Sequence, residues 1–153
     1  NLTVSLPNMQ LTNMIERIAS GLIISYPYLW RWQRDEGREN AEKDRPVCLA
    51  ITLRDPTVEI THLVILPISG SPPRDGQEAL EIPSLEIHRA GLSMFKRGWL
   101  TISEYNYDIA ERSFHFDPNQ EPRGRFSSQF MDQIRSAIRP LLVAKRGRID
   151  RIG

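Results

Sequence analysis

Residues 58–68, VEITHLVILPI, constrain the fold more than any other stretch of the chain. They alternate partly and then become continuously apolar, as a long strand entering a core does. Other segments rich in β-branched and aromatic residues flank them. LIISYPYLW (22–30) reads as a strand, with Pro27 marking an edge or a bulge. PVCLAITL (46–53) reads as another, ended by the turn Arg54-Asp55-Pro56. Residues 79–83 and GWLTISEY (98–105) complete the set. Ser84 is placed to cap one helical turn over 84–91. Residues 31–44 are dense in both charges, as a surface loop with some local helix is. GSPPRDG (70–76) is loop by composition. So is 109–125, where Pro118, Pro122 and Gly124 break any period.

Two segments carry helical spacing. Phe126, Phe130, Ile134, Ile138 and Leu141 form an amphipathic stripe, with Met131 and Leu142 alongside and Pro140 disturbing the last turn. Leu11, Met14, Ile15 and Ile18 form a shorter one, with Asn8 as a cap and Gly21 as a stop. So short a helix must dock to persist. The expected architecture is mainly β with added helices: a small barrel with helical decoration. A chain of 153 residues suits one domain. It divides into an N-terminal helical extension (1–20), the barrel with its C-terminal helix (21–143) and a basic tail (144–153).

Composition removes several classes. Charged residues make up 25% and hydrophobic residues 40%, which argues against wholesale disorder. No apolar run approaches the roughly 18 residues of a membrane span, and the first residues lack the pattern of a signal peptide. Cys48 is the sole cysteine, so no internal disulfide supports the fold, which fits the cytoplasm. His62, His88 and His115 stand far apart without ligand spacing, so neither a metal site nor a cofactor is expected. His62 falls mid-strand, as a structural histidine. Phosphate loops, dinucleotide fingerprints and nucleophile elbows are missing. A net charge of +1 gives no overall nucleic-acid signature. The tail, with Lys145, Arg146, Arg148 and Arg151 against Asp150, reads as a solvated tail or as a polyanion-binding arm.

Three segments, in order over residues 21 to 108, resemble the MazF/PemK family of toxins. GLIISYPYLW is followed by a charged loop ending in EKDRPVCLAIT, where Arg45-Pro46 matches the arginine-proline pair entering the family's second strand. VILPISGSPP follows, with Ser69 where the family has threonine after Pro-Ile. EIPS and AGLSMFKRGWLTISEYN complete the pattern. The resemblance implies a small SH3-like barrel, homodimeric and cytoplasmic, that cuts single-stranded RNA without a metal. It also implies a cognate antitoxin.

Metal-free RNA cleavage needs a base for the 2′-hydroxyl proton, an acid for the leaving oxygen and positive charge on the crowded phosphate. Arg45 suits the last role, because a guanidinium is a planar, permanently charged fork for phosphate oxygens. The alternative for it is a structural ion pair with Asp44 or Glu42. Ser69 can hold a phosphate oxygen or cap a turn. Glu104 is the candidate base. Ser103 occupies the nearer match to the family's acidic position, and an offset of one residue turns a strand side chain to the other face. Arg31, Trp32, Arg34, Lys43 and Ser71 are the candidate RNA-contacting residues, since unpaired bases are held by stacking and charge. Tyr28 and Trp30 read as core residues on one side of their strand. Two rivals share the fold: a CcdB-type toxin that binds a protein target, and a degenerate toxin or regulator that binds nucleic acid through its basic tail.

Overall fold

The computed structural model of the chain describes residues 19–41 and 43–152. The expected helix through Leu11 and Ile18 and the ion pair with Glu42 lie outside the described residues. Within them, eight strands are joined in one curled sheet. Strand β1 is Leu22–Tyr26. It ends before Pro27, which has no N–H to give a ladder, so the expected strand to Trp30 is shorter. A short helix α1, Arg31–Asp35, opens the charged loop. Strands β2 (Arg45–Asp55) and β3 (Ile60–Ser69) form a long hairpin. The register shifts by one residue between Leu49 and Ile51, and a bulge of this kind bends the sheet.

β3 organises the rest. Its other edge takes two strands: β5 (Trp99–Thr101) at Ile68 and Ser69, and β6 (Tyr105–Ile109) at 62–65. The strand expected over 98–105 is therefore split. Residues 102–104 carry the chain from one pairing to the next along the same edge. β4 (Ala79–Glu81) extends the sheet beyond β5. At the opposite end, β7 (Gly124–Arg125) pairs with β1 inside the stretch expected to be loop. Helix α2 is Ser84–Arg89. Its cap position is Pro83, so Ser84 is its first helical residue and not its cap.

Helix α3, Ser128–Ala144, begins at Ser127, whose hydroxyl accepts the Phe130 N–H. Pro140 sits inside this helix, which continues to Ala144 and ends at Lys145 in the left-handed conformation. The basic tail is tied into the sheet, although Lys145, Arg146 and Arg148 stay exposed. Arg148–Asp150 forms β8, parallel to β6, and Arg151 is only 5% exposed. Its guanidinium donates to the carbonyl oxygens of Glu39 (3.0 Å) and Pro27 (3.1 Å).

The sheet is buried on both faces, which explains the unbroken apolar run of β3. One face packs Ile23, Cys48, Leu66 and Ile68 against Phe130, Ile134 and Ile138 of α3. The other packs Ile24, Tyr26, Tyr28, Trp30, Val47, Leu49, Leu63 and Ile65. Burial pushes the Cys48 thiol up, beyond the usual thiol range. His62 Nδ1 is hydrogen-bonded to the Tyr107 hydroxyl, a structural role. No helix among the described residues is long and apolar enough to cross a membrane.

Candidate functional site

The second core ends in a polar rim. Val47 pairs with Pro67, and two residues further along the two strands stand Arg45 and Ser69. Alternation keeps Arg45 on the face of Val47 and Leu49, and Ser69 on the face of Ile65 and Pro67. Tyr26 lies opposite Arg45, Trp99 opposite Ser69, and Glu81 opposite Trp99. A single row thus crosses five strands, from buried Tyr26 to exposed Glu81.

Cation–aromatic contacts recur along this row and beside it. The Arg45 guanidinium lies 5.0 Å from the Trp30 ring centroid. Arg97 lies 4.9 Å from that of Trp99 and holds Glu81 by two bonds of 2.8 Å. Those bonds keep the Glu81 carboxyl below its usual range. Trp32, on α1, has Arg74 at 4.3 Å and Arg38 at 5.4 Å. Each tryptophan of the chain therefore carries at least one arginine. Trp30 is buried in the core, whereas Trp32 and Trp99 are half-exposed, and such a guanidinium–indole pair offers a base a flat surface and a phosphate a charge.

Glu104 lies beneath this rim, on the face shared with Asn106 and its partner Ile65. It is only 3% exposed. Its Oε2 accepts the Tyr28 hydroxyl at 3.1 Å and the Arg31 N–H at 2.8 Å. Trp30 meets Tyr28 edge-on, with centroids 5.1 Å apart. A chain of contacts thus runs from Arg45 through Trp30 and Tyr28 to Glu104. Burial pushes the Glu104 carboxyl up, while its donors pull the other way. Burial and the adjacent carboxylate raise the Tyr28 phenol. Ser103 points elsewhere, and its hydroxyl accepts the Glu78 N–H at 3.0 Å.

The Arg31 N–H is the first of helix α1, and such groups lack partners within their own helix. Glu104 supplies that partner from 73 positions along the chain. Trp30 N–H donates to Gln33 Oε1 at 3.0 Å, closing the turn locally. Arg34 reaches away from the row, donating to the Arg148 carbonyl at 3.3 Å. Ser69 Oγ accepts the Ser71 N–H at 3.0 Å, so it braces the loop that leaves β3. Lys43 and Ser71 are exposed in loops.

The structure therefore gathers Arg45 and Ser69 in one row. It links Glu104 to that row through aromatic rings, and it sets Arg31 and Trp32 on the adjoining helix. Trp99, Arg97, Glu81 and Arg74 escaped the sequence reading. Arg97 and Trp99, two residues apart in sequence, carried a legible signal; Arg74 meets Trp32 only through the fold. Among the described residues, no group of three or more His, Cys, Asp or Glu side chains is placed to hold a metal ion. No protein-family model, curated protein or solved structure significantly matches the chain.

Proposed function

We propose that this chain is a toxin of MazF/PemK type: an SH3-like barrel that cuts single-stranded RNA through attack of the ribose 2′-hydroxyl on the adjacent phosphate. One observation carries the proposal. Arg45 and Ser69, the two residues the motif resemblance singles out, come together at matching ends of neighbouring strands, on the face where Arg45 meets Trp30. In this reading Arg45 neutralises the charge that builds up on the phosphate, and the stack on Trp30 fixes its plane. Ser69 orients the phosphate through its hydroxyl. Glu104 is held by the Arg31 N–H and the Tyr28 hydroxyl and has little access, so its part is to position α1 and the aromatic stack. The resemblance adds a homodimer, an antitoxin partner and action on messenger RNA in the cytoplasm.

Expression in bacterial cells tests this reading. Wild type arrests growth and shortens the transcript pool, and Arg45→Ala relieves both. Arrest that is equally strong in the variant rejects it. The burial of Glu104 favours a second reading, a barrel that binds its target without cutting it. Arrest with intact RNA would support that one.

A further inference from the structure

A second concave site lies on the side of α1 reached by Arg34. The C-terminal turn of α3, the segment into β8 and residues 102–103 enclose a cleft of about 580 Å³. Its floor is apolar: Ile102, Ala137, Pro140 and Leu141. Its wall is cationic: Arg31, Lys145, Arg146 and Arg148, against the single carboxylate of Glu78. Among the described residues, Arg148 pairs with Asp150 at 2.6 Å, while Arg31, Lys145 and Arg146 make no ion pair.

Helix termini alone account for part of this. Cations at a helix C-terminus complement its dipole. They do not account for Arg31, which comes from another helix, nor for the cleft. Two of the last carbonyls of α3 are already met, since Leu142 and Leu141 accept the N–H groups of Lys145 and Arg146. The backbone that shapes the wall is also specified. Gly147 has φ 75°, and a Cβ there would lie 2.8 Å from the Ser103 carbonyl oxygen. The cleft joins the candidate site directly, because Glu104, next to Ser103, holds the Arg31 amide.

We infer that this cleft is a subsite for one nucleotide residue of a single-stranded RNA, with its base against the Pro140–Leu141 floor and its phosphate among Arg31, Lys145 and Arg146. The volume falls in the range of small-ligand clefts. An apolar floor beside unpaired cations matches a molecule with a flat apolar face and an attached phosphate. This subsite rests on the RNA reading of the neighbouring row, but its test does not require cleavage.

The test is an NMR titration of the intact protein in EDTA with adenosine 5′-monophosphate, adenosine and inorganic phosphate, each alone. The monophosphate is expected to shift the amides of Ile102, Ser103, Ala137 and Gly147 saturably, and more tightly than either fragment. A 2′-O-methylated tetranucleotide, which cannot be cut, should displace it. The pair Lys145→Gly with Arg146→Ala should weaken binding about tenfold. Glycine suits the left-handed backbone at Lys145. Arg112→Ala with Arg139→Ala removes equal charge elsewhere and should leave binding unchanged. Shifts of equal strength with adenosine or phosphate, unchanged affinity in the first variant, or an equal loss in the second overturn the subsite. Failure of the tetranucleotide to displace the monophosphate, or equal displacement by an acidic peptide of matched charge, overturns its assignment to RNA. Cleavage without nucleotide binding rejects the subsite alone, and binding without cleavage rejects the nuclease reading alone.

Discussion

Glu104 accepts the backbone N–H of Arg31 at 2.8 Å, across most of the length of the barrel sequence. This bond ties the start of the charged loop to the end of the β5–β6 crossing. It also gives a carboxylate that the sequence offers as a base a task in holding the site together. Glu104→Gln separates the two roles, because an amide oxygen still accepts from Arg31 and Tyr28 but takes up no proton. A positioning role keeps RNA cleavage within a few-fold of wild type in single-turnover assays. A base role loses roughly 10²- to 10⁴-fold.

The same carboxylate gives a pH signature. Its folded-state pKa is raised, chiefly by burial. The folded protein therefore holds this proton more tightly than the unfolded chain. The stability it contributes is full below the unfolded value of about 4.3 and is lost as pH rises through the raised folded value. Urea midpoints measured from pH 4 to 7 should show this fall in wild type relative to Glu104→Gln. Parallel curves for the two proteins would contradict it.

Arg151 provides a test of the tail. A solvated arginine changes stability little when truncated. This one is buried and bonded to two backbone carbonyls of the loop that carries Trp30 and Trp32. Arg151→Ala is expected to cost about 1.5–3 kcal/mol in denaturant unfolding, the usual worth of hydrogen bonds to a charged group. A cost within about 0.5 kcal/mol would return the tail to a surface role.

These cases show what the sequence carries and where it stops. The runs of β2 and β3 and the stripe of α3 were legible because one residue pattern repeats over many positions. Tyr28 and Trp30 were legible as core for the same reason. The split of 98–105 was not, because no Gly or Pro interrupts the stretch after Gly98 and only pairing with different parts of β3 separates its two halves. The tail misled through its charge: Arg151 is buried by carbonyls of residues more than 100 positions away. Arg45 and Ser69 came from motif order. Their place in one row depends on strand register, and the arginines at Trp30 and Trp32 meet their rings largely through the fold, which local sequence does not encode.

Trp32 should matter to binding more than to folding, since it is half-exposed between Arg38 and Arg74. Trp32→Ala is expected to weaken binding of an uncleavable oligoribonucleotide by about 1–3 kcal/mol, the worth of one base–aromatic stack. The salt dependence of binding, set by phosphate contacts, should persist. Fluorescence anisotropy at two salt concentrations reads both. Unchanged affinity would place the RNA path elsewhere.

RNA cleavage by purified protein in EDTA, with wild type, Arg45→Ala and Arg45→Lys side by side, reaches the central claim most directly. Discrete fragments from wild type are expected, with 2′,3′-cyclic phosphate ends. The alanine variant should lose roughly 10²- to 10³-fold, as when a donor to a developing oxyanion is removed. Lysine, a point charge without the fork, should recover part of that loss. Intact RNA from the wild-type protein, or fragments formed equally fast by Arg45→Ala, would contradict the assignment.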